Sequence, residues 1–441
     1  MLLDIQVVTD IGGDVSEEKE KARLDMEEKT HSETGAWVVS RGVDTLVVNA
    51  FYTDLGKPVK RELDESLAEQ FDEWKRVAQA EHQEVATTLV FREARLLMQP
   101  NGAGRGQWPW LLKTKEITLS ISRGQWNGIA SVRLNAVYLW SCVSLKEALS
   151  QVRTFLESVF GSEMYLQVSA VDLCADIAGW TDVESLDKAT HFVSRSRKRS
   201  VYATPDWGQD AVVHDYSYGL RQTGLDFSRG SAVSCTIYNK SREIQQSGKE
   251  WFEDLWRVRG WSEDDGVVWR VEMKYRREAL HELTQDEAFH GIEDASELPA
   301  RLGLLWAYGV GRVGGDEDGV PDGWIRCVVP TEDRNRSRWP THPVWMVVQK
   351  AFTEVCEVPE QFGKVVRKRW RERNSEKAIE AMMGYLTSVA AWEGEAFADA
   401  ETDLSIVLHW LADKGDEYLR RKGWDFGAEI QRKRVKMSLE V

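Results

Sequence analysis

The chain has 441 residues, with 57 Lys and Arg against 72 Asp and Glu and a formal net charge of −15. Its 42% hydrophobic and 29% charged content fits two or three globular domains and excludes a disordered or fibrous chain. No apolar run approaches the roughly 18 residues of a membrane span, and the start MLLDIQVVTDIGGDVSEEKEK lacks the basic flank of a signal peptide, so a cytoplasmic protein without a membrane partner is expected.

In chain order, residues 1–35 read as a mobile acidic arm, with order beginning near Trp37. A strand follows in DTLVVNAFY (44–52). Leu63, Leu67, Phe71, Trp74 and Ala78 then form one face of a helix over 62–82. Strands are expected at 85–91, 116–122 and 131–140, separated by turns such as NGAGRG. Ser144 and Glu147 make a capping box for a helix over 144–160. Further strands are expected at 166–177, 233–240 and 267–275, with a helical, basic stretch between the first two. From 345 the period is helical, with Ile379, Met382, Leu386 and Val389 on one face and Leu404, Val407, Leu411 and Leu419 on another. The pattern predicts an α+β fold: antiparallel sheets of two related halves with flanking helices in a catalytic domain over 36–344, then a small helical domain over 345–441.

The acidic total counts against nucleic-acid binding, because phosphate neutralisation supplies most DNA affinity. Local distribution matters more than the sum. Basic residues cluster in SRSRKRS (194–200), KVVRKRWRER (364–373) and QRKRVK (431–436). Five cysteines without a CxxC pair argue against a disulfide framework or a structural zinc site.

The chemistry rests on alternation along three strands. In QVSAVDLCADI, Val171, Leu173, Ala175 and Ile177 share one face while Asp172 and Asp176 take the other. In VSCTIYNK, Val233, Cys235 and Ile237 oppose Ser234, Thr236, Tyr238 and Lys240. In VVWRVEMKY, Val267, Trp269, Val271, Met273 and Tyr275 oppose Arg270, Glu272 and Lys274. A solvated sheet surface has the same pattern. The functional alternative is a site in which carboxylates hold a hard cation near a tyrosine hydroxyl. A phenol of pKa roughly 10 needs such help to act as a nucleophile. Asp172 and Asp176 stand about 13 Å apart on an ideal strand, which makes Asp172 the preferred ligand.

At these residues the sequence resembles the Rep_trans family of rolling-circle replication initiators and the related relaxases of integrative conjugative elements. The resemblance is carried by SAVDLCAD (169–176), SRGSAVSCTIYNKSRE (228–243) and VVWRVEMKYRREAL (267–280). It implies that Tyr238 is the nicking nucleophile, with Lys240 in the same motif. Asp172 and Glu272 are then metal ligands for Mg²⁺ or Mn²⁺, and Arg229 and Ser231 lie in the approach to the motif. The family's arginine before I-Y is Thr236 here, so Arg270 or Lys274 would take over its contact with the phosphate. The resemblance further implies a 5′-phosphotyrosyl intermediate, a free 3′-OH, origin DNA, a host helicase and polymerase as partners, and a homodimer. A conjugative relaxase with the same chemistry and a non-catalytic origin-binding protein are the alternatives.

Among other features, Arg367 and Lys368 in the second basic run are DNA-backbone candidates. Tyr216 and Tyr218 are weaker nucleophile candidates, and His214 reads as a loop residue. GVGRVGG (309–315) lacks the G-K-[ST] ending of a phosphate loop and reads as a flexible loop.

Overall fold

The computed structural model describes residues 34–124, 128–196, 199–200, 216–218, 221–285, 289–312, 323–352, 366–367, 375–393, 397 and 403–436. The chain divides into two compact units, Met1–Lys368 and Arg369–Val441.

The first unit is built on one antiparallel sheet. Its strands are β1 (Trp37–Asp54), β2 (Lys57–Val59), β3 (Val85–Phe91), β4 (Ala94–Met98), β5 (Trp110–Lys113), β6 (Ile117–Ile121), β7 (Ala130–Leu134) and β8 (Met164–Ala178). Beyond β9 (Phe192–Ser194), which pairs elsewhere with Ile325–Cys327, come β10 (Arg199–Ser200), β11 (Tyr216–Tyr218), β12 (Arg221–Phe227), β13 (Val233–Asn239) and β14 (Trp269–Arg276). The order across the sheet is β10-β12-β13-β14-β8-β1-β7-β6-β5-β4-β3. The mixed α+β class is as expected. The two groups of strands are continuous, however, because the long strands β1 and β8 pair from Trp37↔Ala178 to Tyr52↔Met164 at the centre.

One face of this sheet is apolar throughout. Leu46, Val48, Ala50, Val132, Leu134, Val171, Leu173, Val271 and Met273 are all fully buried there. The core continues into α1 (Glu65–Glu81), through Phe71 and Ala78, and α2 (Leu145–Phe160), through Ala148, Val152 and Leu156. Asp64 caps α1 by accepting from the N–H groups of Ser66 and Leu67, and Ser144 caps α2 by accepting from Glu147. The strand expected over 131–140 stops at Leu134, and residues Ala136–Leu139 form one helical turn.

The opposite face is covered at one end. There α3 (Lys240–Ser247) and α4 (Trp251–Val258) bury Ile244, Phe252 and Trp256 against Trp37, Val39 and Ala178. Past α5 (Arg277–Glu282), helices α6 (Leu302–Val310) and α7 (Pro343–Lys350) belong to the same unit, with Trp306, Trp345 and Val348 in its main core. Gly309 is therefore a packed helix residue, not part of a flexible loop. A Cβ there would stand 2.5 Å from the Tyr275 hydroxyl oxygen.

The second unit contains α8 (Ser375–Trp392), α9 (Leu404–Lys422) and α10 (Phe426–Lys436). Leu386 and Val407 are buried within it, whereas Ile379 and Met382 of the expected apolar stripe are exposed. No described helix is long and apolar enough to cross a membrane.

Candidate active site

The alternation of the three central strands holds in the structure, and their pairing aligns the polar residues in rows. Gly224, Tyr238, Arg270, Asp176 and Ser40 form one row across β12, β13, β14, β8 and β1. Asp226, Thr236, Glu272, Cys174 and Gly42 form the next, and Ser234, Lys274, Asp172 and Thr45 the one beyond. The first row runs under α3 and α4, and the third is open only at Lys274 and Asp172, since Ser234 and Thr45 are buried.

The covered row is a closed ion network. Arg270 is fully buried. It donates from Nε to Asp176 Oδ1 at 2.6 Å, from Nη2 to Asp176 Oδ2 at 2.9 Å and from Nη1 to Asp44 Oδ1 at 2.6 Å. Asp176 Oδ2 also accepts from Ser40 Oγ at 2.5 Å and Trp256 Nε1 at 3.0 Å. The Phe252 ring lies under the guanidinium at 4.6 Å. Burial pushes the Asp176 carboxyl up, but the guanidinium outweighs it and holds the group below the ordinary aspartate value. Arg270, expected to meet DNA phosphate, has no surface with which to do so here. Its hydrogen bonds go to carboxylates, and it fastens the row that contains Tyr238.

Asp44 is the residue that sequence reading missed. The β1–β8 register passes from Val43↔Leu173 to Thr45↔Asp172, so Asp44 is the extra residue of a bulge. The bulge brings its carboxylate to Arg270. Simple alternation cannot locate such an insertion, and the one sequence signal is an acid just before the apolar run of Leu46, Val47 and Val48.

Tyr238 stands at the border between covered and open rows. It is half-buried, and its hydroxyl donates to Glu272 Oε2 at 3.1 Å. Burial and the Glu272 carboxylate push its pKa well above the ordinary tyrosine value, so the resting phenol keeps its proton at neutral pH. Glu272 Oε1 lies 2.5 Å from Lys274 Nζ, and Asp172 Oδ2 lies 3.7 Å from the same nitrogen. Desolvation followed by repulsion from Glu272 pushes Asp172 up to about 7, in spite of Lys274. Burial alone would lower the Lys274 pKa, but the two carboxylates outweigh it and raise it.

Lys240 is not on the strand face where alternation placed it. Asn239 ends β13 and caps α3 by accepting from Arg242 N–H, which makes Lys240 the first helical residue. Its buried ammonium bonds Glu243, lies 4.4 Å from the Phe252 ring centre and 5.8 Å from that of Tyr238. Desolvation, with Arg270 adding to it, lowers its pKa. Thr236, where the motif has arginine, donates to Asp226 Oδ1 at 2.5 Å.

Other expected residues lie elsewhere. Arg229 and Ser231 sit in the turn between β12 and β13, where Ser231 N–H bonds Ser228 C=O. Seven residues of extended chain, about 24 Å, separate Ser231 from Tyr238. Arg367 is paired with Glu278 and Glu282 at 2.7 and 2.5 Å. Lys368 and His214 lie outside the described residues, as do the side chains of Tyr216 and Tyr218. Cys142, Cys174, Cys235 and Cys327 are free, buried thiols.

Asp172 and Glu272 are the available oxygen donors for a divalent ion. Among the described residues no group of three or more His, Cys, Asp or Glu is arranged to hold a metal. Mg²⁺, however, commonly binds through one or two carboxylates and completes its shell with water and substrate phosphate. Two carboxylates that share Lys274, one of them raised by burial and then by the charge of the other, have the donor chemistry of that mode.

No protein-family model matches the sequence, and no curated protein matches it. Among solved structures, the fold has a distant likeness to the rolling-circle replication initiator protein from Geobacillus stearothermophilus. The two are 15% identical, over 70% of this chain and 94% of that one, with a TM-score of 0.37.

Proposed function

We propose that this protein nicks one strand of DNA at an origin by tyrosine transesterification and so primes rolling-circle replication. The observation that carries the reading is the hydrogen bond from the Tyr238 hydroxyl to Glu272, beside Lys274 and Asp172 on the open part of the sheet. The motif around Tyr238 and its resemblance to the Rep_trans initiators support it.

In this mechanism the Tyr238 oxygen attacks phosphorus while its proton passes to Glu272 Oε2. The P–O3′ bond breaks, the protein keeps the 5′-phosphate as a phosphotyrosyl ester, and the released 3′ oxygen takes a proton from solvent. Glu272 thus acts as general base on a phenol that burial keeps protonated at rest. Lys274 offsets negative charge at the phosphate, and Arg270 positions Tyr238 through its strand pairing. Asp172 and Glu272 would hold Mg²⁺ or Mn²⁺, whose chemistry here is to neutralise the phosphodiester. Origin DNA, a host helicase and polymerase, and a second copy of the chain are the partners of this reading, in the cytoplasm.

The test is a nicking assay on supercoiled and single-stranded origin DNA with Mg²⁺ or Mn²⁺. Wild type should form a protein–DNA adduct that survives denaturation, and Tyr238→Phe should form none. Glu272→Gln should slow single-turnover cleavage by roughly 10²–10⁴-fold, the usual contribution of a general base. Normal cleavage by Tyr238→Phe would remove the nucleophile assignment. Tight origin binding without any adduct from wild type would favour a non-catalytic origin-binding protein.

A further inference from the structure

The open face beyond the candidate active site carries a row of cations that the nicking mechanism does not use. One register line runs Leu97, Lys113, Thr118, Arg133, Val47, Ala170, Arg276 across β4, β5, β6, β7, β1, β8 and β14. Lys113, Arg133 and Arg276 are exposed, and no ion pair holds any of them among the described residues. Arg133 Nη2 reaches Thr45 Oγ1, beside Asp172, at 3.3 Å. Arg276 follows Lys274 in the same alternate series of β14, about 7 Å along the strand. The row therefore begins next to the Lys274–Asp172 pair and runs outward at right angles to the strands.

Beyond Asp172 at its inner end, the outer strands of the row are free of acid. Strands β3, β4, β5, β6 and β7 contain no aspartate or glutamate, although the whole chain has 72. In a protein of net charge −15, a five-strand face with no carboxylate is a local reversal of sign. Val47 lies between Arg133 and Arg276, Leu97 lies just beyond Lys113 and Leu111 in a neighbouring register row, all half-buried on the same face, and they offer apolar ground to flat rings. Cations spaced along a sheet with apolar surface between them suit a single-stranded polynucleotide, whose phosphates and bases are both accessible.

We infer that the Lys113–Arg133–Arg276 row is the track along which a single strand of DNA lies as it enters or leaves the Tyr238 site. The identity of the strand rests on the nicking reading, but the binding surface does not. An acidic protein surface would meet the same charges. The apolar residues in and beside the row and the continuity with the Tyr238 site favour the strand.

The experiment is fluorescence anisotropy with a labelled oligothymidylate, without divalent metal, over a range of salt. It compares wild type, Lys113→Ala/Arg133→Ala/Arg276→Ala, and a control Lys75→Ala/Lys146→Ala with changes on α1 and α2, which pack on the other face. Circular dichroism confirms that each is folded. Single variants at the three positions take over if the triple variant is not. The triple variant is expected to bind at least ~10-fold more weakly. The salt slope should fall by about 2, at roughly 0.7 for each single-strand phosphate that the protein no longer neutralises. Affinity and slope equal to the control, or wild type binding duplex in preference to the single strand, would overturn the inference. No cleavage is needed for this readout. A triple variant that binds normally while wild type still forms an adduct sinks the track alone. Weakened binding by the triple variant, with no adduct from wild type, sinks the nicking reading alone.

Discussion

Asp172 and Asp176 are the same residue type, four positions apart on the same strand and the same face, and they behave in opposite ways. Asp176 lies under α3 and α4 with a guanidinium on both its oxygens and further donors from Ser40 and Trp256. Asp172 lies half-buried in the open row, shares one ammonium with Glu272 and is pushed up to about 7. The number of donors per carboxylate decides between them. A surplus of donors makes a charge structural, and a deficit leaves it with unspent affinity for a proton, a cation or a substrate.

Removing the cation from the covered row should produce the largest effect on folding. Arg270→Met would strand Asp44 and Asp176 without their guanidinium, and breaking a buried pair from one side costs ~3–5 kcal/mol. Urea denaturation measures it. A loss below ~1 kcal/mol would mean that the row is solvated and the contrast false.

The two aspartates should also differ in how stability follows pH. For Asp172 the folded state holds its proton up to about pH 7, whereas the unfolded chain releases it near 4. Its contribution is thus fully present below about pH 4 and is lost as pH rises to about 7. That difference corresponds to no more than ~4 kcal/mol. Asp176 is held below its ordinary value, so its contribution is present above about pH 4 and fades as pH falls. Subtracting each variant's stability curve from that of wild type isolates the group. Asp172→Asn should remove a decline between pH 4 and 7, and Asp176→Asn should remove a decline on the acid side. Curves of the same sign would refute the opposition.

A finer probe is Ser40→Ala, which removes one of the donors to Asp176 Oδ2 and leaves the guanidinium in place. A loss of ~1.5–3 kcal/mol is expected by thermal denaturation, typical of a hydrogen bond to a charged group. Nicking should persist in this variant, since Ser40 does not touch Tyr238 or Glu272.

Much of this was legible in the sequence, because a strand with one buried face records its orientation in every second residue. Val171, Leu173, Val271, Met273, Cys235 and Ile237 are all fully buried, as alternation requires, and the same count puts Asp172, Glu272, Lys274 and Tyr238 on a common face. What alternation could not show is which part of that face is covered. Arg270 and Lys274 look alike in WRVEMK, and only the packing of Phe252 and Trp256 over the first distinguishes a strut from a half-buried cation. Lys240 broke the pattern because Asn239 caps a helix where the strand was expected to continue. The cation row was hidden for a different reason. Its members come from β5, β7 and β14, and only pairing across the sheet brings them together.

The bulge at Asp44 acts on β1 much as a frameshift acts on a message. Upstream of it the strand counts its faces in one phase, and downstream in the other. A substitution at 44 alters one carboxylate. Deletion of the residue would instead restore the frame, letting Val43, Thr45 and Leu46 pair in unbroken alternation with Leu173, Asp172 and Val171, so that Leu46, Val48 and Ala50 stay in the core and only the second carboxylate on Arg270 is lost. The strand's faces therefore do not need a residue at 44, and what the extra residue supplies is a carboxylate that regular pairing would leave out of reach of Arg270.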